Sequence, residues 1–432
     1  MDRAENAPMS NAQRLRAILA GSAGNLIEWY DFYIYAFTAL YFSSAFFPEG
    51  DPLVQIMATS GIFAVGFLIR PIGGWYFGRL ADRHGRQRAM VVSVLMMGCG
   101  AALIAVLPTY DQVGLAAPAL LLLARMIQGF STGGQYGTAA TYLSEIAGKG
   151  HRGFWSSFQY VTLVGGQLLA TVVVLAMQHG LGEAAMKAYG WRIGFALGAG
   201  GAGLILVLRR FMLETGKAGQ GKAGAGSLRE LLTVHLRPFL LVVALTAGGS
   251  LSFYTFTTYM QKYLVLTVGM TKPDATLLML GVLVVFMILQ PIMGAVSDRI
   301  GRRANILVFS ALATVATFPI FTALAHVDVH GPRGSLPAGL LVLAGLLINS
   351  FYTSVSGVFK AEMFPVHVRA LGVGLAYGLG NALFGGTAEN VALALKSTGH
   401  ESGFYWYVTA LCAVALVAAL MLKDTRRDDP LG

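Results

Sequence analysis

The sequence is poor in charged residues and almost free of cysteine. Charged side chains make up 12% of its 432 residues, whereas soluble globular proteins have about 25%. The mean hydropathy is +0.63, and 55% of the residues are apolar. A soluble protein of this length is therefore excluded. Cys99 and Cys412 both lie inside apolar stretches, so the sequence indicates no disulfide framework, no metal-ligand cluster and no cofactor.

Long apolar stretches occupy most of the chain. A stretch of about 20 residues crosses a bilayer as a helix, and twelve are found near residues 17–42, 53–77, 89–107, 116–143, 154–178, 191–211, 239–262, 275–296, 304–325, 337–359, 370–396 and 403–422. We therefore predict an all-α membrane protein with six helices in each half. The first sixteen residues are polar and basic without a small-residue cleavage site, which indicates a cytoplasmic tail rather than a secretory signal.

One basic loop occurs twice. The run from Gly78 to Arg86, with Asp82 inside it, returns 216 residues later as the run from Gly294 to Arg302, with Asp298 inside it. A second pair, 145–152 and 362–369, recurs at an offset of 217. Such repeats are typical of transporters built from two parallel halves. We predict a tail at 1–16, a six-helix bundle at 17–211, a flexible cytoplasmic linker at 212–238, a second bundle at 239–422 and a tail at 423–432.

Lysine and arginine are distributed unevenly between the two sides of the predicted membrane. Apart from Arg70, Arg125 and Arg192, which are assigned to the spans, most of them lie on the side of the N-terminus, and the exceptions are Lys187, Lys262, Lys272, Arg333 and Lys396. Positive loops are retained in the cytoplasm, so both termini are predicted to be cytoplasmic. The net charge of +10 follows from this topology, so the expected partner is a lipid bilayer and not a nucleic acid. Glycine-rich stretches within the spans indicate close helix packing rather than a nucleotide loop.

Only three acidic residues lie well inside the predicted spans, namely Glu28, Asp31 and Glu389. An ionisable residue at mid-membrane is costly, which makes it a functional candidate. Asp31 and Arg125 are predicted to lie at similar depth in the first and fourth spans. We hypothesise a switchable pair, in which protonation of Asp31 frees Arg125 for substrate; the alternative is a permanent salt bridge. Glu28 could hold the same helix pair or lie near the inner gate.

Other buried cations and polar stretches suggest a substrate cavity. Arg70 could reach the membrane interface or serve a structural role, and Arg192 could draw an anion inward or anchor its helix at the interface. Polar residues interrupt four spans, and a site that combines cations with hydroxyls and amides suits a small carboxylate. The proposed substrate-binding set is Arg125, Arg192, Gln159, Tyr160, Gln167, Tyr254, Tyr259, Lys262, Tyr352 and Asn381.

The repeated loops also suggest a mechanical role. Their charged residues could tie the two halves together and separate when the inner side opens. The predicted inner-gate latch consists of Asp82, His84, Arg86, Glu145, Asp298, Arg302, Glu362 and Arg369.

The duplication and both loops resemble the major facilitator superfamily over nearly the whole chain. Within it, the motifs Gly24-Asn25-x-x-Glu28-Trp-Tyr-Asp31-Phe, Arg70-Pro71-x-Gly73, Arg125-x-x-Gln128-Gly129 and Trp191-Arg192 are similar to the metabolite:proton symporter family. The runs 253–263, 157–162 and 360–365 resemble its members that carry 2-oxoglutarate. This resemblance implies a monomeric secondary transporter in a bacterial inner membrane that imports 2-oxoglutarate with protons by alternating access, and not an enzyme.

One position departs from the family pattern. The family usually has an acid in Gly-Gly-Glu-Tyr-Gly, where this chain has Gln135, so position 135 joins Asp31, Glu28 and Arg125 as a proton-coupling candidate. A glutamine mimics a permanently protonated carboxyl, so it is either a variant or a trap for one conformation. The alternatives are the same fold carrying citrate, shikimate or betaine/proline, and a membrane nutrient sensor. No intramembrane catalytic constellation favours an enzyme.

Overall fold

The computed structural model describes residues 11–48, 52–148, 150–208, 224–329, 331 and 334–423, and among them it contains helices and no strand. Twelve long helices follow one another along this part of the chain. They are α1 Asn11–Phe46, α2 Pro52–His84, α3 Arg86–Val106, α4 Ala116–Ile146, α5 Phe158–Ala185, α6 Trp191–Leu208, α7 Leu236–Leu266, α8 Lys272–Ile300, α9 Arg302–Ala325, α10 Leu336–Glu362, α11 at 369–397 and α12 Glu401–Leu420. The predicted all-α membrane fold is confirmed.

The repeated loops form the same turn in each half. Gly85 separates α2 from α3 with a φ of 101°, and Gly301 separates α8 from α9 with a φ of 98°. Residues other than glycine rarely adopt these φ values. The sequence repeat is thus also a structural repeat, and in each copy it sends the chain straight back into the next helix.

Among the described residues, four long helices contain a break. α5 is kinked at Gly182, which has a φ of 77°, and a π turn, Met186–Gly190, connects it to α6. A π-helical turn, Thr255–Tyr259, lies inside α7, and a second, Asn381–Gly385, lies inside α11. α10 is interrupted between Thr353 and Ser356. Such breaks are tolerated in a membrane where the backbone lines a cavity or is covered by protein, and π turns are frequent at functional sites.

The outer surface and the interior of the protein have different compositions. Large apolar side chains are exposed around the outside, for example Leu277, Val315 and Val417, as a lipid-facing surface requires. Among the described residues, seven helical segments are long and apolar enough to cross a membrane, and one of them, 152–207, contains both α5 and α6. α1, α2, α4 and α11 do not meet that standard. These four helices pack on one another and bury the polar residues that lower their mean hydropathy.

The two halves meet closely at one face, which we call the latch face. It lies where α2, α4 and α8 end. A Cβ on Gly78 of α2 would lie 2.5 Å from the Cα atom of Leu371, and one on Gly294 of α8 would lie 2.5 Å from the carbonyl oxygen of Gly153. Glycine therefore permits backbone contact between the halves at the same position of each repeat. At the opposite face the halves diverge, and a cavity lies between them.

Several predicted boundaries shift. The predicted N-terminal tail ends within α1, since helix is already present at Asn11, and residues 1–10 lie outside the described residues. Of the predicted linker, 212–223 lie outside them as well, while Leu228–Thr233 form a short helix and α7 begins at Leu236. Of the predicted C-terminal tail only Lys423 is described. The division into two domains at these limits stays a prediction.

Candidate functional site

A cavity of about 580 Å³ lies between the halves, away from the latch face. Its walls come from α1 and α5 on one side and from α7 and α8 on the other, and a smaller space of about 130 Å³ adjoins it through Tyr33, Thr258 and Lys262. Gln167 lines the larger space, and Tyr254 lines the smaller one. Three of the predicted substrate-binding residues, Gln167, Tyr254 and Lys262, therefore border one connected cavity.

Lys262 is not a free cation in this cavity. Its ammonium forms an ion pair with Glu389 of α11, and about half of the lysine side chain is exposed. The pair connects α7 to α11 at the mouth of the cavity. A substrate carboxylate that used Lys262 would have to compete with Glu389.

The π turns of α7 and α11 both border the smaller space, through Thr258 and Gly385. Gly385 packs against the ring of Tyr254 and the amide oxygen of Asn381, so the breaks in α7 and α11 lie side by side. Asn381 is fully buried, and its side chain makes no hydrogen bond of good geometry with any described residue. Deeper in the same region, Tyr160 and Tyr352 are buried, as is Gln159, whose Oε1 accepts no hydrogen bond from a described residue.

Arg70, for which an interfacial and a structural role were the alternatives, lies inside this region. Its guanidinium lies 3.8 Å from the ring centre of Phe67 and 4.9 Å from that of Phe32, and the side chain is only 3% exposed. Its Nε and Nη1 have no hydrogen-bond acceptor among the described residues. The expectation that Arg70 could extend to the membrane interface is therefore wrong. Aromatic faces hold this cation inside the protein, with donors left over for an anion.

Asp31 and Arg125 are connected through a third residue. Gln128 donates from Nε2 to Asp31 Oδ2 at 2.5 Å, and Arg125 donates from Nη1 to Gln128 Oε1 at 2.6 Å. The predicted direct pair is thus corrected to a relay through an amide. Glu28 and Arg70 border the same internal space, which measures only about 10 Å³, so two acids and two arginines surround room for about one water molecule.

Gln128 was missed as a site residue although the sequence carried a signal for it. It follows Arg125 by three positions, and such residues share a helix face. An amide can accept from a cation and donate to a carboxylate at once, which neither an acid nor a base can do. The spacing alone could not show that Asp31 would be the second partner.

Three predicted residues lie away from the cavity. Arg192 donates to the carbonyl oxygen of Ala105 at 3.1 Å and packs over Trp191, which corrects its predicted role as a substrate ligand to that of an anchor within the N-terminal half. Tyr259 is buried against Phe404 inside the C-terminal half. Gln135 accepts from Ser93 Oγ at 2.6 Å on the side of α4 that faces α3, so it does not reach Asp31 or Arg125.

The first latch consists of Asp82, Arg86, Glu145 and Arg369 at the latch face. Arg86 contacts Asp82 at 2.5 Å and Glu145 at 3.1 Å, and Arg369 reaches Glu145 from the other half at 2.9 Å. Asp82 also accepts from the backbone N–H groups of Ala370 and Leu371, at 3.1 and 2.9 Å. These two groups begin α11, so a carboxylate of one half caps a helix of the other.

The second latch consists of Asp298, Arg302 and Glu362. Asp298 accepts from the backbone N–H groups of Gly153 and Phe154, at 2.8 and 3.0 Å, at the start of the short helix Arg152–Ser156 that precedes α5. Arg302 contacts Asp298 at 2.9 Å and Glu362 at 3.5 Å. His84 was predicted as a latch residue, but it is exposed and takes no part in these contacts. Its side chain points to solvent at the end of α2.

The linker adds a contact that the sequence did not reveal. His367 Nε2 lies 2.6 Å from Glu230 Oε1, and His235 lies 3.8 Å from the same oxygen. The three residues come from the loop before α11, the short linker helix and the residue before α7. They bind the linker to the latch face, where Arg83 of α2 also donates to the carbonyl oxygen of Ala225 at 2.9 Å.

Lys360 is a second buried cation that is not among the predicted site residues. It lies in the last turns of α10, is fully buried, and donates to Ser356 Oγ at 2.7 Å and to Tyr136 at 3.0 Å. Its position just after the tenth predicted span, 337–359, predicts a loop cation on the side of the N-terminus. The break in α10 turns it inward instead.

The sequence matches the model of the sugar (and other) transporter family over residues 17–217 and 212–425. It is 54% identical to the alpha-ketoglutarate permease of Escherichia coli K12 over 95% of this chain and 94% of that protein. It is 36% identical to the citrate-proton symporter of Salmonella typhi over 96% of each chain.

A solved structure has the same fold. The major facilitator superfamily proton:xylose symporter XylE, bound to 6-bromo-6-deoxy-D-glucose, superimposes with a TM-score of 0.82 over 96% of this chain and 97% of that chain. The sequence identity is 17%, so this likeness concerns the fold alone. It supports twelve membrane-spanning helices in two six-helix bundles.

Proposed function

Since the chain belongs to the sugar (and other) transporter family of the major facilitator superfamily, we propose that it imports 2-oxoglutarate with protons by alternating access. The choice of substrate is supported by the 54% identity to a permease named for this compound, over 95% of the chain. The solute crosses unchanged in this proposal, so no catalytic step is needed. We further propose that the transporter works as a monomer.

We propose that the latch face is cytoplasmic and that the protein lies in a bacterial inner membrane. The excess of lysine and arginine on that side supports this orientation. The conformation would then be closed to the cytoplasm by the two latches and open to the outside through the cavity of about 580 Å³. A substrate would enter there and descend towards Tyr254 and Arg70.

The proposed substrate imposes an energetic condition on import. At pH 7 it is a dianion, and moving two negative charges against an interior-negative potential of 100 mV costs about 4.6 kcal/mol. Import without a compensating ion would therefore be unfavourable. Two protons would make the step electroneutral, and the buried carboxylates Asp31 and Glu28 are the groups that we propose carry them.

The relay suggests how a proton on Asp31 would reach the substrate site. Ionised Asp31 holds the amide of Gln128, whose oxygen in turn holds Arg125. A protonated Asp31 accepts less strongly from that amide, so Gln128 can turn and release Arg125 for an anion. Proton and substrate binding would then favour each other.

Uptake of labelled 2-oxoglutarate into liposomes tests this proposal. We expect accumulation with an inward proton gradient, loss of accumulation with a protonophore, and competition by unlabelled 2-oxoglutarate at lower concentration than by citrate or betaine. Competition in which citrate is the better inhibitor would assign the other carboxylate instead. Accumulation that ignores the proton gradient would rule out symport.

Asp31→Asn tests the coupling step. We expect it to lose gradient-driven accumulation while it still exchanges labelled for unlabelled 2-oxoglutarate, because an amide cannot give up a proton. The matched control is Glu183→Gln, since Glu183 is a largely exposed acid that pairs with Lys187. A variant that keeps full accumulation would show that Asp31 is not the coupling acid.

A further inference from the structure

Lys360 is buried without an acidic partner. None of its side chain is exposed, and no carboxylate of the described residues lies within ion-pair distance of its ammonium group. Buried lysines are usually paired, because an unpaired ammonium loses its hydration without compensation. Two other buried cations at the latch face, Arg86 and Arg369, both contact Glu145. Lys360 therefore stands out from its neighbours.

Neutral groups surround this ammonium. Its two hydrogen-bond acceptors are the hydroxyls of Ser356 and Tyr136, which also lie 2.9 Å from each other. Four aromatic rings, those of Tyr377, Tyr136, Tyr352 and Phe359, have their centres 4.6–5.5 Å from Nζ. Ring faces and hydroxyls stabilise a cation in part, and they leave its charge unneutralised.

The rings that cover Lys360 come from both halves. Tyr136 of α4 and Tyr377 of α11 stack with centres 3.3 Å apart and planes 8° apart. Alternating access moves the halves against each other, so this stack must separate when the latch face opens. Lys360 would then be uncovered at the base of the cavity, on the C-terminal half.

We infer that Lys360 binds one carboxylate of a dicarboxylate substrate, with the second carboxylate held by the arginines of the N-terminal half. This inference rests on the proposed function and adds a residue to its site. Among the described residues, Arg70 has no acceptor for two donor nitrogens, Nε and Nη1, on one half, and Lys360 has no acidic partner on the other. A molecule with a carboxylate at each end satisfies both and connects the halves. A monocarboxylate satisfies only one.

The test measures how strongly the protein prefers two carboxylates to one. Purified protein is titrated calorimetrically with 2-oxoglutarate and with 2-oxopentanoate, which has the same carbon chain and a single carboxylate. We expect Lys360→Met to weaken binding of 2-oxoglutarate by about 10–100-fold, the range for a lost charge-assisted hydrogen bond, and to leave binding of 2-oxopentanoate within about threefold. Lys360→Arg should retain most of the preference.

Lys396→Met is the matched control, because it removes a lysine that already pairs with Glu401 at the outer rim. It should not change the preference. Equal weakening of both ligands by Lys360→Met would give Lys360 a structural role and overturn the inference. Wild-type protein that binds neither ligand would instead contradict the proposed function, so the two failures can be told apart.

Discussion

The two copies of the repeated loop make the same kinds of contact, but their side chains differ in exposure to solvent. In each, an aspartate accepts two backbone N–H groups from a helix start in the other half, and an arginine four residues later contacts that aspartate and a glutamate. In the first latch, the side chains of Arg86 and Asp82 are 0% exposed. In the second, Arg302 is 14% exposed and Asp298 is 7% exposed.

This difference in exposure distinguishes the feature that both latches share from the feature that only the first latch has. The aspartate cap is common to both latches. The closely connected ion network belongs to the first, where Glu145 receives Arg86 at 3.1 Å and Arg369 at 2.9 Å, whereas Arg302 lies 3.5 Å from Glu362. We therefore expect the first latch to dominate closure of the latch face.

The strongest test replaces the arginine of each latch by methionine. Arg86→Met removes the cation that Asp82 and Glu145 share and should weaken the closed state by about 3–5 kcal/mol, whereas Arg302→Met should weaken it by about 1 kcal/mol. A single cysteine at Ala140, introduced after replacement of Cys99 and Cys412, reports opening. Ala140 is fully buried next to Gly357 of the other half, so its rate of alkylation rises as the latch face opens.

Thermal unfolding of each variant serves as the control for the arginine comparison. A large rise in alkylation with an almost unchanged unfolding midpoint indicates opening rather than loss of fold. Equal alkylation rates in Arg86→Met and Arg302→Met would contradict the dominance of the first latch.

A second test leaves the charges in place and prevents close approach. Gly78→Ala and Gly294→Ala each place a methyl group against backbone of the other half, so each should weaken closure by about 1–3 kcal/mol, and by similar amounts. Gly61→Ala in α2 and Gly281→Ala in α8 are controls, because a Cβ at either position meets nothing within 4 Å. Alkylation at position 140 is again the measurement. Unequal effects would mean that the backbone contacts are not equivalent.

The aspartate caps should behave alike. Asp82→Asn and Asp298→Asn keep an acceptor oxygen and remove the charge that faces a helix N-terminus, a change of about 0.3–2 kcal/mol. We expect alkylation rates of the two variants within about threefold of each other. A tenfold difference would show that the ion network, and not the cap, determines the role of Asp82.

Much of the fold could be predicted from the sequence, because each half repeats its turn glycine and its small-residue contacts. Gly85 and Gly301 recur at the offset of the loop motif and adopt nearly the same φ. Apolar length located the spans. The helix breaks could not be predicted in this way, since nothing in the composition of Thr255–Tyr259 or Asn381–Gly385 distinguishes a π turn from regular helix.

The site was harder to predict, because side-chain direction depends on those breaks. Spacing grouped Glu28 with Asp31, but only the structure places the amide of Gln128 between Asp31 and Arg125. Lys360 lies near the end of a predicted span, where a lysine is expected to face water. The interruption of α10 after Thr353 directs it inward, beneath rings from both halves.

The smallest expected effect concerns salt, and it tests whether burial is the cause of the difference between the latches. Raising the ionic strength from 0.1 to 1 M shortens the screening length from about 10 Å to about 3 Å, which weakens partly exposed pairs and hardly affects buried ones. The alkylation ratio of Arg302→Met to wild type should therefore fall towards one in 1 M KCl, by about twofold, while the ratio for Arg86→Met stays constant. If both ratios fall together, water reaches the first latch as readily as the second. The ion network of the first latch, and not its burial, would then make it the stronger of the two.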